Sequence, residues 1–161
     1  MSNTPDSQWE IQAMWWRNVT LIFAIAFLAI GIAGFIDGLV APPTADGVAM
    51  DGMHGRLFGL FPVNWLHNVV HLAFGLWGFF AYFSGRLPSR VYLRSVAVVY
   101  AVFTVMGIIP GLNTTFGLVP LYGHDVWLHA LLAVVAGIVG FGVTERESDV
   151  TTARTGERGR I

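Results

Sequence analysis

WLHNVVHLAFGLWGFFAYF, residues 65–83, runs nineteen residues without an acidic or basic side chain other than His67 and His71. A helix rises about 1.5 Å per residue and a bilayer core is about 30 Å thick, so a stretch of this length can cross it. Working outward, residues 18–36, 91–109 and 126–143 have the same character. None contains an acidic residue, and the one arginine among them, Arg94, lies near the start of its segment, where its side chain can snorkel to the interface. Four segments of this kind predict an all-α integral membrane protein with four transmembrane helices.

Composition agrees. The 161 residues are 55% hydrophobic and 12% charged, with a mean hydropathy of +0.62. A soluble domain carries about twice that charged fraction. A net charge of −1 leaves no basic face for nucleic acid. The chain has no cysteine, which excludes disulfides, thiolate metal sites and cysteine nucleophiles. The first apolar segment follows a polar, partly acidic stretch and does not read as a cleaved signal peptide.

Residues 1–16 are expected to be a cytoplasmic segment, 17–143 the membrane domain and 144–161 a disordered cytoplasmic tail. This orientation comes from the arginines. Arg17 precedes the first span, Arg86, Arg90 and Arg94 cluster between the second and third, and Arg146, Arg154, Arg158 and Arg160 follow the fourth. Only Arg56 falls on the other side, so the positive-inside rule puts both termini in the cytoplasm of an inner or plasma membrane protein. Trp15 and Trp16 at one interface, and Trp65, Tyr122 and Trp127 at the other, fit aromatic belts.

The two halves are similar to each other. Phe58-Gly59-Leu60-Phe61-Pro62 returns as Phe116-Gly117-Leu118-Val119-Pro120, and Trp65-Leu66-His67 as Trp127-Leu128-His129. Gly75 and Gly78 match Gly137 and Gly140 at the same offset. A tandem duplication of a two-helix unit, inserted twice in the same direction, predicts a four-helix bundle with pseudo-two-fold symmetry. His67, His71, Gly75 and Gly78 share one helix face, as do His129, Ala133, Gly137 and Gly140. Small residues let membrane helices approach closely, so these stripes are expected to face protein. Gly31, Gly34, Gly38, Gly107 and Gly111 are their expected partners.

Asn64-x-x-His67-x-x-x-His71-x-x-x-Gly75, following the Phe-Gly-Leu-Phe-Pro run and repeated in part around His129, resembles a family of small bacterial four-helix membrane proteins classed as a domain of unknown function. The resemblance covers roughly residues 17–143. It implies fold and topology, and brings no activity, substrate or cofactor.

All five histidines, with Asp37, Asp46, Asp51 and Asp125, fall on the side opposite the arginines. A structural role, with no cofactor, accounts for them first. Asn64 and Asp125 suit helix N-caps, Asp125 can bond His129 one turn on, and His54 and His124 read as solvated loop residues. The alternative is a cofactor. His67 and His71 lie one helical turn apart, His129 comes from the equivalent helix, and Asp125, Asp37 or His124 could complete a shell for Zn²⁺ or Cu²⁺. A b-type haem would instead use His67 and His129 as axial ligands, with Gly75 and Gly137 making room for the porphyrin. Imidazoles beside these carboxylates could also respond to pH between about 5 and 8. No nucleophile elbow, phosphate loop, dinucleotide fingerprint or zinc-protease helix is present, so the chain is not expected to be an enzyme. Asp37 with His67 is the one acid–base pair to consider. No span carries an ionisable residue at its middle, which argues against ion transport. Besides the lipid bilayer, a second copy of the chain or a larger membrane complex is the expected partner.

Overall fold

The computed structural model describes residues 6–43 and 54–142, with side chains from Met14 onward. Four helices dominate: α1 (Asp6–Ala33), α2 (Trp65–Ser84), α3 (Arg86–Ile108) and α4 (His124–Gly142). Each contains a stretch long and apolar enough to cross a membrane, that of α1 being Met14–Ala33. This is a multi-pass membrane fold. Its outward side chains are those a lipid environment tolerates, among them Phe80, Phe83, Leu76 and Ile138.

α1 packs chiefly on α2 and α3 on α4, while α3 also crosses both helices of the first pair. The core where they meet is aromatic: Phe27 stacks on Tyr100 at 5.3 Å and meets Phe23 and Phe74 edge-on. The face of α2 carrying His67, His71, Gly75 and Gly78 is buried, as its spacing requires. Its glycines are contact points. A Cβ on Gly75 would run into Leu28 of α1, and one on Gly78 into Ala24 of α1 and Tyr92 of α3. On α4 the corresponding positions look toward α3, Gly140 against Arg94 and Gly137 beside Ala97. Gly31 of α1 and Gly34 just past its end receive Leu72 and Asn68, and Gly107 of α3 receives Leu121 and Val126. Gly38 and Gly111 lie beyond the ends of α1 and α3 and have no such neighbour.

Two elements depart from the sequence reading. The described part of the loop after α1 contains a 3₁₀ turn, Asp37–Leu39, and then a three-stranded antiparallel sheet: β1 (Val40–Ala41), β2 (Gly55–Leu57) and β3 (Phe61–Val63). β2 is central, pairing Arg56 with Ala41 on one side and with Pro62 on the other. Pro62 is tolerated because β3 is an edge strand. Helix α3 begins at Arg86, so Gly85 alone joins α2 to α3. Its φ of 112° is open to glycine but not to a residue with a Cβ. Pro88 falls in this first turn, where proline is tolerated because its missing N–H would have no intrahelical partner.

The two Phe-Gly-Leu turns adopt the same unusual backbone. Phe58 and Gly59 have φ of 53° and 71°, and Phe116 and Gly117 have 59° and 87°. The first joins β2 to β3. The second lies in a loop, residues 109–123, held by its own bonds, including Leu121 N–H to the Asn113 carbonyl (2.8 Å) and Thr115 Oγ1 to the Val119 carbonyl (3.0 Å).

The arginines gather at the opposite end of the bundle. Arg94 Nε donates to the Gly140 carbonyl at 2.8 Å, capping α4 where its carbonyls lack helical partners. Arg17 lies over Tyr82, Arg90 over Trp16 and Arg94 over Phe141, each guanidinium 4.7–5.0 Å from the ring centre. Trp16 corrects the belt assignment. It is buried, with its indole N–H donating to the Val139 carbonyl at 2.9 Å, whereas Trp15 is exposed. The sequence segments 144–161, with four of the arginines, and Asp46 and Asp51 lie outside the described residues.

Candidate functional site

The N-terminus of α2 is fixed by Asn64. Its Oδ1 accepts from the His67 N–H at 2.8 Å, and its Nδ2 donates to the Leu118 carbonyl at 2.7 Å. One side chain thus caps α2 and ties it to the second Phe-Gly-Leu turn. One turn along, Asn68 Nδ2 donates to the Gly34 carbonyl at 2.7 Å and pins the exit of α1 to α2. These three bonds fix the start of the helix face that carries His67 and His71.

His67, His71 and His129 then converge, with Asp125 beside His67 and His129, each of the four only 2–4% exposed. His67 Nε2 is 2.9 Å from His71 Nε2. Asp125 Oδ2 lies 3.5 Å from His129 Nε2 and 3.9 Å from His67 Nε2. The ligating atoms of the three histidines all fall within 4.8 Å of one another. A tetrahedral ion with bonds of about 2.0–2.1 Å spaces its ligands about 3.3–3.4 Å apart, so these separations bracket such a shell. Asp125 Oδ2 and the Nδ1 atoms of all three histidines make no hydrogen bond. The carbonyls of Pro62 and Pro120, which follow the two Phe-Gly-Leu turns, lie beside the His67 ring. The rings are held from behind by aromatic edges: Phe27 on His71 at 5.5 Å, Tyr100 on His129 at 4.8 Å, and Phe103 on His129 at 5.9 Å.

Several expectations need correcting. Asp125 does not cap α4. The helix begins one residue earlier at His124, and the carboxylate turns inward to the histidines. Asp37 is exposed in its 3₁₀ turn and stands apart from the cluster, which removes it both as a ligand and as an acid–base partner for His67. His124 is exposed, its ring edge-on to Phe61. His54 is half-buried and bonded to the Tyr122 hydroxyl at 2.9 Å, not simply solvated. The b-type haem does not fit. Gly75 is filled by Leu28, so the clearance assigned to a porphyrin is taken by α1. The cavity beside the histidines holds about 50 Å³, against the roughly 300 Å³ or more that a drug-sized ligand takes.

The family model described as "Domain of unknown function (DUF4383)" matches residues 17–142. The chain belongs to this family. Among curated proteins and among solved structures nothing matches. The DUF4383 match spans α2, α3 and α4, most of α1, and every residue of the histidine cluster.

Sequence reasoning missed Asn68, whose amide lies between two helices, and the loop 109–123, whose Thr115, Val119 and Leu121 line the cavity beside the rings. Asn68 carries a signal that could have found it. It is the one polar residue without an ionisable group inside an otherwise apolar span beside two histidines.

Proposed function

We propose that this protein is a multi-pass membrane protein that holds one divalent transition-metal ion, Zn²⁺ first, at His67, His71, His129 and Asp125. The observation that carries this reading is the convergence of three buried imidazoles, two of which, His67 and His129, face the buried carboxylate of Asp125. A carboxylate and three imidazole nitrogens are a hard-to-borderline ligand set of the kind Zn²⁺ or Cu²⁺ takes. Buried charges are paired or coordinate metals, and among the described residues Asp125 has ion-pair distances only to these rings. The duplication supplies His67 and His129 as equivalents. His71, which faces Ala133 in the repeat and so has no counterpart, completes the set.

In this reading both termini are cytoplasmic and the cluster lies at the extracytoplasmic end of an inner or plasma membrane protein, alone, as a homo-oligomer or within a larger complex. A second reading is favoured by the 2.9 Å contact between His67 and His71: a polar pin that locks the bundle end without a metal. Metal analysis of protein purified without a polyhistidine tag separates the two. About one zinc per chain is expected, falling to a small fraction in His129→Ala and in Asp125→Asn. Folded wild-type protein without stoichiometric metal after zinc supplementation overturns the metal reading and leaves the pin.

A further inference from the structure

The histidine cluster borders a cavity of about 50 Å³, walled by His67, His71 and His129 on one side and by Val70, Phe103 and Val119 among others. A single water needs about 10–15 Å³ of such space, so the room exceeds one water. Its wall presents no polar surface. Two hydroxyl-bearing residues line it, Tyr100 and Thr115, and Thr115 Oγ1 already donates to the Val119 carbonyl at 3.0 Å. A buried water needs two to four polar partners, and apolar cavities instead stay dry and accept apolar guests. A phosphate or carboxylate would lose its hydration with nothing in the wall to replace it.

We propose that this cavity binds a small neutral molecule of two or three heavy atoms, the size class of dioxygen or nitric oxide, directly against the histidine cluster. The inference rests on the metal reading for its chemical consequence. Three of the rings that would hold the ion form one wall, so a guest would be separated from it by no more than the breadth of an imidazole. The loop 109–123, which contributes Val119 and Leu121, is then part of the site and not merely a connection between α3 and α4.

Xenon is the probe, with Co²⁺ standing in for Zn²⁺ as a paramagnetic reporter. Xenon NMR of detergent-solubilised, Co²⁺-loaded protein is expected to show a saturable site above the unsaturable background of the micelle. Relaxation at that site should be faster with Co²⁺ than with Zn²⁺. Val119→Phe from the loop side and Val70→Phe from the helix side should each remove the saturable component while bound Co²⁺ stays unchanged. Stoichiometric Co²⁺ with no saturable xenon overturns the cavity assignment and leaves the metal reading standing. Saturable xenon with identical relaxation under both metals overturns the adjacency. Saturable xenon in protein that binds no Co²⁺ keeps the gas site and overturns the metal reading.

Discussion

Asn64 holds two parts of the chain that are far apart in sequence, and its replacement separates its roles. Asn64→Ala removes the cap of α2 and also leaves the Leu118 carbonyl without its donor. Loss of a cap costs about 1 kcal/mol and an unsatisfied carbonyl about 1–3 kcal/mol, so the expected destabilisation is roughly 2–4 kcal/mol. Asn64→Asp keeps the cap acceptor and loses the donor, so it should fall between wild type and alanine in thermal unfolding in detergent. Equal loss in both variants would mean that the cap contributes nothing. Asn64 was legible as a cap because it stands just before an apolar helix. Asp125 was legible as a candidate ligand and misread as a cap, since a carboxylate at a helix start suits both. What decides is which way the side chain turns. That depends on the rotation of α4 against α2, which no local pattern encodes.

The helices were readable because each apolar run is as long as a bilayer is thick, and length alone distinguishes such runs from loops. The sheet was not. Strands of two and three residues carry no period, and β1, β2 and β3 exist through pairing across a loop rather than through their own propensity. The glycine stripes were readable as contacts, though not which helix each one meets. Gly34 shows what that contact is worth. A Cβ there would strike the carboxamide of Asn68, the same group that donates to the Gly34 carbonyl. Gly34→Ala is therefore expected to lower stability by about 1–3 kcal/mol through overpacking. Gly38→Ala, with open space around it, should stay within about 0.5 kcal/mol of wild type. Unfolding midpoints of the two variants measured side by side check this, and equal midpoints would mean that α1 yields freely at its exit.

Across the whole molecule the two ends differ in kind. One end, with Arg17, Arg86, Arg90 and Arg94, holds cations against aromatic rings and helix carbonyls, and the other holds neutral or titratable groups in a buried cluster. Only Arg56 opposes the four at the histidine end among the described residues. Each basic residue near an anionic cytoplasmic leaflet gains about 1 kcal/mol, so an imbalance of this size should set the orientation firmly. The absence of cysteine lets the orientation be read directly with single introduced thiols. Leu118→Cys lies in the second Phe-Gly-Leu turn and Ser84→Cys beside the α2–α3 junction, and both positions are exposed. A membrane-impermeant maleimide added to intact cells should label Leu118→Cys and leave Ser84→Cys unmodified until the cells are lysed. The reverse pattern would place the histidine cluster on the cytoplasmic side. On the proposed metal reading, the ion would then have to be drawn from the cytoplasmic side.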